Sequence, residues 1–225
     1  MARQANPNLQ GQLLDAAVTV FAERGLLAAK VSDITDLAGV SKGAFYLHFE
    51  SKEALYEQMC RQFIADLTGH LAGHGSLLCG PEALGMHVVD QLATADEALL
   101  DWLWQRRVHL QMVLAGAAGT PLAHLSDEFI EAIENSMLAS IERMHCASCV
   151  EPMLTSQFLA AMATGLIVMY ARKLVQSRER PAVTRDVHHF RRIMMLGALL
   201  TPDQLDTLWT SAAIHAVPAA APSAH

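Results

Sequence analysis

Apolar residues recur at helical spacing along most of the chain. They form one stripe over Leu9–Arg24, and Gly25 follows at the position where a glycine commonly ends a helix. The same spacing predicts short helices over Val31–Ala38 and Ser41–Phe49, close together, and a longer amphipathic helix over about Ser51–His70. The first part of the chain is therefore predicted to hold four helices, two of them short and adjacent.

The remainder of the chain carries the same helical signal after a loop marked by glycine and proline. Up to six further helices are predicted, each starting near a proline, an aspartate or a threonine: Pro81–Ala95, Glu97–Ala118, Pro121–Cys146, Pro152–Ser177, Thr184–Leu200 and Pro202–Ile214. Residues 215–225 are rich in alanine and proline and are predicted to be a disordered tail. Because runs of β-branched residues are rare, the predicted fold class is all-α.

The segment Val31–Leu55 has the local features of a helix-turn-helix. Gly39 can supply the positive φ of a tight turn, and Val40 can fill the angle between the two short helices. Ser41 can cap the second helix with its hydroxyl, which leaves the first turn of that helix exposed. The second helix of such a motif lies in the major groove of DNA, so this helix is the predicted recognition helix.

Side chains on and beside the predicted recognition helix are candidates for contact with DNA. Hydroxyl, imidazole and ammonium groups can donate to phosphates, and a glycine lets the backbone approach a phosphate or a thymine methyl. The candidates are Lys30, Ser41, Lys42, Gly43, Phe45, Tyr46, His48 and Lys52. Phe45 and Phe49 are natural core residues, and Phe45 is also considered as a contact to a base. The alternative is a solvated helical hairpin with Tyr46 and Phe49 in its core.

At these residues the chain resembles the TetR/AcrR family of transcription regulators. The matching motifs, preceded by Ala16-Ala17, Phe21 and Gly25, are Ile34-Thr35, Ala38-Gly39-Val40-Ser41, Gly43-Ala-Phe-Tyr46-Leu-His-Phe49 and Ser51-Lys-Glu-Ala-Leu55. The match spans about residues 9–56. The resemblance implies a three-helix DNA-binding domain over residues 1–52, with an effector-binding and dimerisation bundle over 53–214.

Three features depart from the family pattern. Lys30 stands where the family usually has a capping threonine or serine, and Thr35 replaces a common alanine. Gln10 and Gln12 stand where an arginine often precedes the first helix. A modest non-specific affinity for DNA is therefore expected.

Charge alone does not indicate a nucleic-acid partner. The 225-residue chain has 16 basic and 23 acidic residues, and even residues 1–56 carry five basic and six acidic side chains. Because the phosphate field is felt locally, the prediction of DNA binding rests on the motif. No unbroken apolar run reaches the roughly 18 residues of a membrane span, and residues 1–8 lack the apolar core of a signal peptide. We therefore expect a cytoplasmic protein with no membrane partner.

The resemblance implies an effector pocket and a dimer interface in the bundle. Trp102, Arg106 and His109 share one face of a predicted helix, and an aromatic wall beside a guanidinium suits an organic ligand with a carboxylate or a phosphate. The candidate lining also includes Met112, Phe129, Met162 and Tyr170. An ordinary core with a solvated arginine is the alternative.

The predicted dimer interface lies on the helices Pro152–Ser177 and Thr184–Leu200, whose small residues, such as Ala160 and Gly165, permit close packing. These residues could instead face the protomer core. Cys146 and Cys149 form a Cys-x₂-Cys pair that could bind a metal or cycle as a dithiol.

The sequence contains no phosphate-cradling glycine motif, no His-Glu-x-x-His and no nucleophile elbow, so neither an enzyme nor a required cofactor is expected. The predicted function is a homodimeric repressor, released from double-stranded operator DNA by a small organic effector. The alternatives are a metal- or thiol-responsive regulator and a DNA-binding partner protein without a ligand.

Overall fold

A computed structural model describes residues 9–76, 86–148 and 154–182, together with the single positions 186, 189, 203, 206, 207 and 210. Every element within these residues is helical, as the sequence predicts. The helices are α1 (Leu9–Ala28), α2 (Val31–Ala38), α3 (Lys42–Tyr46), α4 (Lys52–Ser76), α5 (Met86–Gln105), α6 (Arg107–Gln111), α7 (Leu125–Ser148) and α8 (Ser156–Gln176). A π-helical turn, Met112–Gly116, follows α6, and a 3₁₀ turn, Pro121–His124, precedes α7.

The first three helices form the N-terminal domain, in which local signals act as predicted. Gly25 has a φ of 68°, so the regular part of α1 ends there before one further helical turn. Gly39 closes α2 with the same positive φ, and the Ser41 hydroxyl accepts a hydrogen bond of 3.2 Å from the Ala44 backbone N–H at the start of α3. The two short helices are thereby held at a tight turn.

The long helix α4 connects the N-terminal domain with the bundle. Its apolar stripe is buried from end to end and consists of Leu55, Tyr56, Met59, Phe63, Leu67 and Leu71. The near end of α4 packs against α1, the rest packs against α7, and α7 packs against α8. One continuous core therefore extends from α1 to the end of α8.

Two predicted helix boundaries are wrong. α4 continues past the predicted end to Ser76. Gly75 lies where the side chains of Ser140 and Arg143 on α7 approach the backbone of α4. The glycine therefore permits close packing of the two helices and does not end α4. The predicted break before Glu97 is absent, since Asp96 is buried inside α5 and does not cap a new helix.

The chain leaves the helical conformation ten residues later than predicted, at Arg106, where φ is −105° and ψ is 20°. The predicted helix over Glu97–Ala118 is therefore three successive elements: the end of α5, the short α6 and the π-helical turn Met112–Gly116. A π-helical turn shifts the register of every residue after it, so residues on either side do not share one helical face.

Several predicted features lie outside the described residues. They are the helices over 184–200 and 202–214, apart from the single positions given above, and the tail over 215–225. Within the described part, α8 is long and apolar enough to cross a membrane by length and composition. Core helices of soluble proteins meet the same criterion, and α8 packs against α7 and α6, so this finding is weak evidence for a span.

Candidate DNA-binding surface

An open cleft of about 460 Å³ lies where the start of α2, the helix α3 and the start of α4 meet. Its lining includes three lysines and one tyrosine from the predicted contact residues: Lys30, Lys42, Lys52 and Tyr46. Glu50 and Glu53 also line it, so the cleft carries both signs of charge. The tertiary structure thus brings together basic side chains that are up to 22 positions apart in the sequence.

The helix α3 is anchored by two aromatic rings and exposes its other faces. Phe45 is 0% and Phe49 is 5% exposed, and their ring centroids are 5.6 Å apart. Tyr46 is 57% exposed, with its ring edge-to-face on Phe45 at 5.3 Å. The alternative with Tyr46 in the core of a hairpin therefore does not describe this structure.

Phe45 requires a correction as a candidate DNA contact. Its ring is fully enclosed by the core of the N-terminal domain, so it cannot touch a base without unfolding that core. Its role here is to fix α3 to the core of the N-terminal domain, next to α2. By contrast, four other candidates are exposed: Ser41, Lys42, Gly43 and His48. The Ser41 hydroxyl oxygen also accepts the hydrogen bond that caps α3.

Lys52 bonds mainly to the protein itself. Its ammonium donates to the carbonyl oxygens of Leu26 at 2.7 Å and Ala29 at 2.6 Å, and Leu27 O is 3.4 Å away. These carbonyls lie at the end of α1, where unpaired carbonyls and the helix dipole attract a cation. The ammonium is thereby engaged in joining α4 to the end of α1, which limits what Lys52 can offer to a phosphate.

Lys30 is the exposed residue that precedes α2 and does not cap it with its side chain. Instead the Lys30 backbone N–H donates to the Asp33 carboxylate at 3.1 Å, and Arg24 donates to the same carboxylate at 2.7 Å. The loss of the usual capping side chain is thus offset by Asp33, and the Lys30 ammonium is left to line the cleft.

A second cluster forms around Phe63 of α4, between α5 and α6. Three rings lie nearly parallel to it: Trp102 at 5.3 Å, His109 at 6.0 Å and Phe129 at 6.4 Å between centroids. The Arg106 guanidinium lies 4.7 Å from the Trp102 ring, a cation–π distance. Trp102, Arg106 and His109 therefore come together as predicted, although the chain bends at Arg106.

Burial and charge depress the basicity of His109 in this cluster. Its pKa is lowered first by burial and then by the positive charge of Arg106, while the negative charge of Asp66 opposes both. The cluster therefore presents a neutral imidazole beside a guanidinium on a partly open face between α4 and α6.

Four other predicted lining residues are not gathered on that face. Met112 and Phe129 are each 1% exposed and belong to the core, and the Phe129 ring reaches the cluster only from the inner side. Met162 is 42% exposed on α8, so it faces outward. Tyr170 is half-buried on the same helix, where burial raises its pKa. Cys149 lies outside the described residues, and of Cys146 only the helical backbone is described.

The sequence prediction missed two features of the structure. Leu47, directly after α3, is 82% exposed, and the only signal for it is its position four residues after Gly43. The other is a buried hydrogen bond of 2.6 Å from the Tyr56 hydroxyl to the Met112 carbonyl, between residues 56 positions apart. No local pattern could indicate that pairing.

Known proteins are similar in sequence to the N-terminal part of the chain. A family profile described as "Bacterial regulatory proteins, tetR family" matches residues 13–59. The HTH-type transcriptional repressor KstR2 of Rhodococcus jostii (strain RHA1) is 52% identical over 58 residues, which are 26% of this chain. The matched segment spans 28% of the length of that relative, so the likeness concerns the N-terminal domain.

Solved structures match over more of the chain and show the fold. A complex of SmeT with triclosan has a TM-score of 0.68 at 16% identity and covers 96% of this chain and 98% of its own. The regulator FadR from Bacillus subtilis, in complex with stearoyl-CoA, has a TM-score of 0.57 at 20% identity. That match covers 80% of this chain and 96% of the FadR chain. The fold is accordingly an N-terminal helix-turn-helix domain followed by a helical C-terminal domain, and residues 13–59 are similar to the tetR family of bacterial regulatory proteins.

Proposed function

We propose that this protein is a cytoplasmic, homodimeric transcription repressor that binds double-stranded operator DNA through α3. The observation that carries the proposal is the cleft beside α3, where Lys30, Lys42 and Tyr46 meet on an exposed surface while Phe45 fixes the helix from behind. A recognition helix needs this combination of rigid placement and exposed donors. The repressor KstR2, which is similar over the same segment, supports it.

The balance of charge in the cleft suits specific binding more than non-specific binding. Glu50 and Glu53 line the cleft together with the lysines, so its attraction for phosphate is weakened. Affinity must then depend on shape and on contacts with base edges in the major groove. We propose residues 1–52 as the DNA-binding domain and 53–214 as the effector-binding and dimerisation domain.

The exposed face of α8 supports the proposed dimer. Phe158, Met162 and Met169 are 53%, 42% and 72% exposed, and with the exposed Gly165 they recur at intervals of four, three and four residues. This spacing places them on one face of the helix. Ala160 is buried within the protomer, so the dimer face is centred on these residues and not on Ala160.

The cluster around Phe63 is the proposed effector site. A guanidinium stacked on Trp102 and a neutral His109 can bind an anionic group, while the aromatic rings contact an apolar body. Regulators of the same fold include FadR, described in complex with stearoyl-CoA, and SmeT, described in complex with triclosan. We propose an organic effector, with an anionic group, whose binding favours the protein conformation that does not bind DNA.

The DNA-binding proposal can be tested with duplexes enriched by the full chain from a random-sequence pool. Wild type should enrich a near-palindromic sequence, and Tyr46→Ala and Lys42→Gln should weaken binding to it. Lys42→Gln should also reduce the slope of log affinity against log salt by about 1, because one phosphate loses its cation. Lys173→Gln, at an exposed lysine on α8, is the matched control and should bind like wild type. Enrichment of no duplex would contradict the proposal.

The effector site can be tested with stearoyl-CoA and triclosan as probes. A probe that binds should raise the melting temperature and release the enriched duplex, and Arg106→Gln should weaken the response to an anionic probe. Arg107→Gln is a close control, because Arg107 is stacked on Trp104 at 4.5 Å in the same way but is exposed. An equal effect of both substitutions would place the site elsewhere.

A further inference from the structure

Leu47 is the most exposed large apolar side chain in the described part of the chain, at 82%. It directly follows α3 and stands between the exposed residues Tyr46 and His48. Single exposed leucines are common on protein surfaces and need no explanation by themselves. This one differs because it continues the candidate DNA-binding surface and because a glycine shares its face.

The backbone places Leu47 next to Gly43. Leu47 has helical φ and ψ of −74° and −22°, and the His48 N–H donates to the Phe45 carbonyl at 3.0 Å, so the helical path extends past α3. Residues four apart on such a path lie on one face. Gly43 and Leu47 therefore share a face roughly opposite to the buried Phe45 and Phe49.

The space above Gly43 is open. A Cβ atom built on Gly43 would have the Ser41 hydroxyl oxygen as its nearest neighbour, at 3.8 Å. The helix surface is thus unfilled at Gly43, on the same face as the exposed Leu47 side chain. We name this pair of residues the Gly43–Leu47 notch.

We propose that the Gly43–Leu47 notch binds the C5-methyl group of a thymine in the operator and thereby contributes to sequence specificity. This inference rests on the proposed function. The thymine methyl is the apolar group that base edges present in the major groove, and apolar side chains recognise it by contact. Lys42, Tyr46 and His48 are exposed neighbours of the notch in the sequence and carry donors for phosphates, so DNA that binds to them lies close to the notch.

The test uses deoxyuridine, which differs from thymidine only by the missing methyl group. Each thymine of the enriched duplex is replaced in turn by deoxyuridine, and the dissociation constant is measured for wild type and Leu47→Ala. At one position in each half-site, the replacement should raise the wild-type dissociation constant about fourfold. This factor corresponds to the free energy of burying one methyl group. Leu47→Ala should lose most of that sensitivity at the same position and keep it elsewhere.

Matched variants separate this contact from general effects. Leu37→Ala and Leu27→Ala alter leucines that are also exposed, at 56% and 71%, and should keep the wild-type response to deoxyuridine. Gly43→Ala fills the notch, so it should weaken binding to the thymine duplex more than to the deoxyuridine duplex. Because Leu47 is exposed, Leu47→Ala should melt at the wild-type temperature.

Two results would overturn the inference while leaving DNA binding intact. One is an equal loss of affinity for both duplexes in Leu47→Ala, which would indicate contact with sugar or phosphate. The other is a full wild-type response to deoxyuridine in Leu47→Ala at every thymine. If wild type enriches no duplex at all, the proposed function fails and this inference fails with it.

Discussion

The Tyr56 hydroxyl donates a hydrogen bond of 2.6 Å to the Met112 carbonyl oxygen and so joins α4 to the π-helical turn. Tyr56 is fully buried, and its ring also meets Phe21 of α1 edge-to-face at 4.9 Å. Gly116, at the end of the turn, lies directly beside the hydroxyl, where a side chain would collide with it. One tyrosine therefore connects the N-terminal domain, α4 and the segment that follows the cluster around Phe63.

Tyr56→Phe should lower the free energy of unfolding by about 1–3 kcal/mol, because the substitution leaves the buried Met112 carbonyl without this donor. Denaturant unfolding monitored by circular dichroism measures the change. Burial raises the pKa of Tyr56, so the hydrogen bond is not lost through ionisation at ordinary pH. Tyr46→Phe, at the exposed tyrosine, is the control and should unfold like wild type.

Gly116→Ala should lower the free energy of unfolding of the wild-type protein by at least about 1 kcal/mol. The same substitution should lower it clearly less in the Tyr56→Phe variant. An alanine Cβ at position 116 would collide with the Tyr56 hydroxyl oxygen, whereas the nearest ring carbons are 3.5 and 3.7 Å away. Removing the hydroxyl therefore makes room for the methyl group. The four free energies of unfolding form a double-mutant cycle, and strict additivity of the two substitutions would contradict this packing.

Lys52→Met should lower the free energy of unfolding by about 1–2 kcal/mol, because the carbonyls of Leu26 and Ala29 lose the ammonium that bonds to them. Its effect on DNA binding separates two roles. If the ammonium only joins α4 to α1, the salt dependence of binding stays at the wild-type slope. A slope reduced by about 1 would mean that Lys52 also contacts a phosphate. Lys30→Met is the comparison variant for a lysine of the cleft without those bonds.

Features that depend on neighbouring residues could be predicted from the sequence, and features that depend on distant ones could not. Gly25 and Gly39 take up positive φ, and Ser41 caps α3, because each signal acts within a few residues. The pairing of Tyr56 with Met112 has no such signal, since it needs the tertiary fold to exist first.

Side chains that can serve two roles are harder to predict. The position of Lys52 near the recognition helix predicts a phosphate contact, but an ammonium also satisfies helix carbonyls, and in the structure it bonds to those of Leu26 and Ala29. Trp102 and His109 are expected to lie together because they share one face of the predicted helix. In the structure they lie together because both rings stack on that of Phe63 in α4. The helical spacing itself ends at Arg106.

Met169→Glu should convert the proposed dimer to monomers at micromolar concentration, because it places a charge on an apolar face that a partner would cover. Sedimentation equilibrium gives the oligomeric state. Gln157→Glu adds the same charge at an exposed position on α8 outside the series of Phe158, Met162 and Met169, and should leave the association unchanged. If Met169→Glu associates as wild type does, this face of α8 is not the interface.

Acidification from pH 7.5 to 5.5 should lower the free energy of unfolding, with part of the loss arising from His109. Its pKa in the folded protein is below the ordinary 6.5, first because of burial and then because of Arg106. Below pH 6.5 the unfolded chain therefore binds more protons than the folded one, so stability rises with pH in this range and falls on acidification. The free energy of unfolding of His109→Gln should depend less steeply on pH. The substitution also removes the stacking on Phe63, but that loss is the same at every pH.

Two further variants identify the source of this pH dependence. Asp66→Asn removes the negative charge that raises the pKa of His109, so the loss of stability on acidification should become steeper. His48→Gln, at an exposed histidine of the candidate DNA-binding surface, is the control substitution. Because an anionic effector beside His109 would favour the protonated imidazole, a bound probe should also flatten the wild-type curve. A probe that stabilises the protein without flattening the curve would bind away from this histidine.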